Sequence, residues 1–318
     1  MSSLINRSML QEEPELARIL DKFACEIDKA VDFGSGVFDW CADAIAEQSK
    51  GGKVTAESLT AESLLMMFRH ALQLLDSISI LVKYSAIDPC EVQLRAVLET
   101  FLNVAYLLQE DTYKRAAAFR VWSIHKKIKF LSKLDQNTEQ GKQFRSKIRK
   151  DRILKKTDLP NLDSLNEERE KQEKRLTRPH FRNAEAEYQR LRNLGKRNPA
   201  WYSFYDGPQS LEQLANKVDL AGMYELGYRK WSGRTHGTDI FSVFNLGGET
   251  WIEILRSSRN TQDMTSSTLF FALELSRLFI KHFTPSRSLE YKQWYLREMR
   301  DFYNRVSSDE QIIKFRES

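Results

Sequence analysis

The chain has 318 residues, 41% hydrophobic and 29% charged, with a mean hydropathy of −0.53, so it can bury a core while keeping much of its helical surface wet. Only 13 Gly and 7 Pro are present, which disfavours a strand-and-turn architecture and favours long helices. A net charge of +5 is too mild to mark a nucleic-acid binder, and the excess is local: residues 139–183 carry 14 Lys and Arg against 8 Asp and Glu.

Residues 12–48 have apolar positions Leu16, Ile19, Leu20, Phe23, Ile27 and Val31 at spacings of three and four, one buried helical face, with an interruption expected near Gly34–Gly36. Lys50-Gly51-Gly52-Lys53 breaks the pattern, and Thr55 and Ser58 are candidate caps for the next helix. Residues 59–108 read as a core hairpin. Asp88-Pro89 starts its second arm, which is apolar nearly all round and therefore central. Asp111 caps a further helix through Trp122 and Leu131.

From Asp135 the hydrophobic residues thin out, and runs such as Glu167-Glu-Arg-Glu-Lys-Gln-Glu-Lys-Arg predict an exposed helical hairpin or partly ordered insertion. Trp201-Tyr-Ser-Phe-Tyr is an aromatic loop returning to the core. Short and longer helices follow at 211–218 and 220–234, then helices at 257–282 and 289–306. The expected fold is an all-α, multi-helix bundle. Residues 1–135 and 200–318 form two halves of its core, and 136–199 form a charged helical insertion.

Cys25, Cys41 and Cys90 are few, odd in number and far apart, as expected of buried, reduced thiols. The polar and acidic N-terminal residues suggest no signal peptide, and no apolar run approaches the roughly 20 residues that cross a membrane. A cytoplasmic protein with no membrane partner is expected. No His-Glu-x-x-His, no close Cys/His spacing, no P-loop and no G-x-G-x-x-G or G-x-S-x-G occurs, so neither a metal nor a cofactor is expected.

The chemistry concentrates in two stretches. Arg95 and Glu99 lie four apart inside the most apolar helix, where they share a face and can pair. A buried pair leaves guanidinium donors in need of partners. Tyr228, Ser232 and His236 supply them, spaced i, i+4, i+8 as a polar stripe on another inward-packing helix, with Gly237 ending it. The bland account of this cluster is a polar lock between two helices. The functional one is a catalytic or ligand-binding site.

Arg95-Ala-Val-Leu-Glu99 followed by Tyr228, Ser232, His236 and Gly237 resembles the R-x-x-x-E and Y-x-x-x-S-x-x-x-H-G elements of an uncharacterised, mostly bacterial, helical family of unknown function. The resemblance covers residues 59–131 and 201–237, leaves out the charged segment, and implies a helical fold without supplying an activity. Arg229 and His236 also form R-x6-H, similar to the motif of HEPN-type ribonucleases, which are all-α, dimeric and metal-free. That resemblance implies a homodimeric endoribonuclease, as in toxin and antiviral systems. His236 would be its acid/base residue, Arg229 and Arg95 would bind phosphate, and Glu99 would orient them. Tyr228, Ser232 and Lys230 would be binding residues, Lys230 standing where that family carries a small polar residue. RNA would be the partner, gripped by the basic insertion. The alternatives are a non-enzymatic scaffold or regulatory subunit whose insertion docks a partner protein, and a small-ligand sensor.

Overall fold

A computed structural model of the chain describes residues 13–48, 56–157, 163–236, 244–245, 251–252 and 255–313. The described residues are all-α apart from one two-residue antiparallel pairing, Phe244–Asn245 with Trp251–Ile252. The chain divides into two compact units, one of residues 1–54, 64–106 and 215–318, the other of 55–63 and 107–214.

The first unit is built from α1 (Pro14–Gln48), most of α2 (Ala56–Lys83) and α3 (Asp88–Gln109), and α9, α10 and α11. Helix α9 joins Ala221–Met223, the π-helical turn Tyr224–Tyr228 and Arg229–His236. Helix α10 is Thr261–Phe283, and α11 joins Ser288–Trp294, a second π-helical turn Tyr295–Met299 and Arg300–Val306. The central element is α10. Its Phe279 stacks on Phe68 of α2 with ring centroids 4.2 Å apart, and its Phe271 meets Phe101 of α3 edge-on at 5.5 Å. Helix α11 closes over α1 through Phe33–Trp294 (3.9 Å) and Phe23–Phe302 (5.6 Å). Such aromatic pairs contribute about 0.5–1.5 kcal/mol each beyond their burial.

No break occurs at Gly34–Gly36: α1 runs through both glycines as one 35-residue helix. Gly34 instead marks close packing. A Cβ there would stand 2.7 Å from Leu72 Cδ2 and 3.3 Å from Ser276 Oγ, so the missing side chain lets α2 and α10 approach. Gly36 faces open space.

The second unit is organised on α4 (Thr112–Leu134). Packed on it are α5 (Glu139–Lys150), α6 (Asp163–Leu176), α7 (Arg182–Asn193) and the 3-10 segment Trp201–Asp206, and α8 (Leu211–Lys217) follows. Asp111 takes the N-cap position of α4 but in a left-handed conformation, and its side chain makes no capping hydrogen bond. The charged segment does have a buried face: Phe181, Ala184 and Leu191 join Ala117, Val121, Ile124 and Phe204 in one core. Thr138 caps α5, accepting from Gly141 N at 3.0 Å. The buried Asp135 accepts from Arg169 of α6 at 2.7 Å. Charge density in the sequence hid this face because the apolar residues that make it are small or widely spaced.

Two further expectations are corrected. Helix α2 over Ser58–Lys83 is long and apolar enough to cross a membrane by length and composition, although half of its most apolar stretch is buried within the protein, as in a core helix. Cys41 and Cys90 are buried, and burial pushes both thiols up to about 12, but Cys25 is exposed. Thr55 and Gly237 lie outside the described residues.

Candidate functional site

The two stretches singled out above meet. Helix α3 buries Leu94, Val97, Leu98 and Phe101 and turns Arg95 and Glu99 toward α9. Gly227, inside the π-helical turn, makes room on α9 for the Trp231 ring. A Cβ on it would lie 3.1 and 3.2 Å from the Trp231 ring and 3.4 Å from Leu98 Cδ2. Trp231, itself buried, then anchors α9 against Phe271 of α10 at 6.5 Å. A π-helical turn inserts one extra residue per turn and often accompanies a functional site.

Arg95 is the hub. Its Nη2 donates to Tyr228 Oη at 2.7 Å, and its guanidinium carbon lies 4.6 Å from that ring's centre. Its Nη1 stands 3.3 Å from His236 Nε2. Its Nε is 3.6 Å from Glu99 Oε1, an ion-pair distance. A guanidinium only donates, so in this contact Nε2 of His236 stands on the accepting side. Burial pushes the Tyr228 phenol above its usual range, and the neighbouring Glu99 adds to this while Arg95 opposes it. The phenol therefore stays protonated at neutral pH.

The cluster is more open than a buried lock. The Arg95 side chain is 15% exposed, but that of Glu99 is 42% exposed and His236 lies at the surface. Ser232 is half-buried on the same stripe, and Lys230 is exposed. Arg229, at the surface, pairs with Glu225 one turn back at 2.7 Å and lies 5.5 Å from the Tyr224 ring centre. Seven residues put Arg229 and His236 on one face of α9, and the contact seen at the imidazole is made by Arg95, from the other helix.

Tyr224 is the residue the sequence reading missed. Its ring stacks on Tyr228 at 4.9 Å, so a continuous ladder runs Arg95, Tyr228, Tyr224, Arg229. The signal was present: Tyr224 precedes Tyr228 by four and extends the stripe by one turn. Among the described residues, no three His, Cys, Asp or Glu side chains are grouped to hold a metal ion.

A family match extends over residues 62–245 and so takes in the charged segment, which the motif resemblance leaves out. No curated protein and no solved structure matches the chain. The matched span is more than half of the chain, and this protein therefore belongs to the family of unknown function DUF5677.

Proposed function

We propose that the chain is a metal-independent, HEPN-like endoribonuclease, a cytoplasmic effector or toxin of the kind used in antiviral defence, acting as a homodimer. One observation carries the reading: a surface imidazole is held by an arginine from another helix, with Arg95 Nη1 at 3.3 Å from His236 Nε2. Cleaving RNA without a metal needs a base for the 2′-hydroxyl, an acid for the leaving oxygen and a cation for the charge that builds on phosphorus.

His236 Nε2 is the base. When a phosphodiester enters, Arg95 Nη1 transfers its hydrogen bond from Nε2 to a non-bridging phosphate oxygen, which frees the nitrogen lone pair. Nε2 then takes the 2′-hydroxyl proton, the 2′-oxygen bonds to phosphorus, and the bond to the 5′-oxygen breaks. The leaving oxygen gains a proton from the Tyr228 phenol or from water, and the products are a 2′,3′-cyclic phosphate and a 5′-hydroxyl. Glu99 holds Arg95 in place throughout. Arg229, paired with Glu225, is the second phosphate ligand.

Incubating the purified protein with RNA in excess chelator tests this. The expected products carry 2′,3′-cyclic phosphate and 5′-hydroxyl ends. Products with 5′-phosphate ends, or cleavage that chelator abolishes, would contradict it.

A further inference from the structure

The second compact unit contains a groove that owes nothing to the Arg95 cluster. Two cavities of about 400 and 630 Å³ lie side by side on α4 and α7, with His125, Lys129, Tyr188 and Asn198 lining both, so they form one groove with two lobes. Each is the size of a small-ligand site, ~300–1,000 Å³.

The lobes differ in chemistry. The first is walled by flat and apolar surfaces: Trp122, the exposed Phe130, Tyr188 and Pro199. The second is polar, with Ser132, Gln140 and Gln189 beside Arg192 and Arg197. Cations line both: Lys126, Lys129 and Lys133 in the first, Lys129 again in the second. No carboxylate appears among the described lining residues of either lobe. Glu185 is bonded to two lining residues, His125 Nε2 at 2.7 Å and Gln189 Nε2 at 2.7 Å.

The walls are held in place. His125 stacks on Tyr188 with ring centres 3.7 Å apart and planes within 8°. Lys126 Nζ lies 4.2 Å from the Trp122 ring centre, Lys129 donates to Asn198 Oδ1 at 2.6 Å, and Arg192 donates to the Arg197 carbonyl at 2.5 Å. An aromatic lobe and a polar one, both edged by Lys or Arg, suit a ligand with a planar ring and an anion. Aromatic faces stack bases, and Lys and Arg bind phosphate by charge-assisted hydrogen bonds.

We infer that this groove binds a nucleotide, its base in the lobe of Trp122, Phe130 and Pro199 and its phosphate on Lys129 and Arg197. The nucleotide can be free or one unit of a single-stranded RNA, and the inference stands whether or not the Arg95–His236 site cleaves RNA.

The test is binding by the full-length protein, measured calorimetrically with AMP and adenosine, and by fluorescence anisotropy with a labelled oligoadenylate of about ten nucleotides. AMP is expected to bind at least about tenfold tighter than adenosine, or the oligoadenylate to bind where AMP does not, which would identify an RNA chain as the source. Lys129→Glu and Arg197→Glu should each weaken whichever binding is seen by about tenfold or more, with melting temperature within about 2 °C of wild type. Lys281→Glu, the same charge change at an exposed position on α10, should leave binding intact. No binding of either phosphate-bearing probe overturns the inference. So does equal weakening by Lys281→Glu, which would trace the effect to overall charge.

Discussion

Arg95 and His236 are 141 positions apart in the chain, yet a terminal guanidinium nitrogen of one lies 3.3 Å from Nε2 of the other. Nothing local imposes this. It follows from Trp231, which fixes the rotation of α9 against Phe271 of α10, its ring fitting where Gly227 has no side chain. Once that rotation is fixed, Tyr228 and His236, eight residues apart, both face Arg95.

The fork geometry of Arg95 is therefore the part that lysine cannot replace. A single ammonium can keep the charge near Glu99 but cannot reach Tyr228 Oη and His236 Nε2 together. Arg95→Lys is expected to lose about 1–2 kcal/mol of stability, and Tyr228→Phe about 0.5–1.5 kcal/mol, each read from urea denaturation. The double variant should lose less than the sum, because both remove the same 2.7 Å bond. Strict additivity would show that the two side chains do not interact in solution.

The two glycines of α1 should respond in opposite directions. Gly36→Ala adds a methyl group to open space inside a helix and should stabilise by about 0.5–1 kcal/mol. Gly34→Ala places a Cβ 2.7 Å from Leu72 Cδ2 in a packed interior and should cost about 1–3 kcal/mol. Thermal melts of the two variants decide it, and stabilisation by both would mean that α2 and α10 do not press on Gly34.

Glu187 predicts a pH dependence. Its carboxylate accepts from Arg190 at 2.7 and 2.8 Å and from the backbone N–H of Tyr205 at 2.8 Å. It thereby holds a segment in which Tyr205 and Asp206 have φ of 57° and 59°. The Arg190 hydrogen bonds, seconded by Tyr205 N–H and opposed by burial, keep the Glu187 carboxyl below its ordinary value of 4.5. The folded form thus favours the ionised group. Its contribution is complete above about pH 4.5 and is lost as pH falls through the lower, folded value. Glu187→Gln should cost about 1–2 kcal/mol at pH 7, and the gap between variant and wild type should narrow below pH 4.5. A gap that stays constant down to acid pH would remove the carboxylate from the account.

The all-α class and the core hairpin were readable from spacing alone, because Leu64, Phe68, Ala71, Leu75 and Ile78 repeat at helical intervals and are buried. The candidate cluster was readable for a related reason: Arg95 and Glu99 interrupt an apolar helix, and an interruption of that kind demands partners. Helix rotation was not readable. The π-helical turn at Tyr224–Tyr228 changes the register of α9 ahead of His236, and it leaves no mark in residue spacing. Gly34 misled in the usual way, since a glycine needed for close packing looks like one that ends a helix. The His125–Glu185–Tyr188 contacts join side chains about sixty positions apart in a stretch where charge hides periodicity.

The central claim is that the Arg95–His236 contact is a site for chemistry and not a lock between helices. Because His236 is exposed, removing its ring should barely disturb the fold while removing the proposed base. The direct measurement is RNA cleavage by wild type and His236→Ala, with thermal melts of both proteins. The account predicts a loss of about 10²–10⁴-fold in cleavage rate at a melting temperature within about 2 °C of wild type. Equal cleavage by both proteins, or none by wild type together with a large drop in melting temperature for the variant, would contradict it and leave His236 as a structural pin.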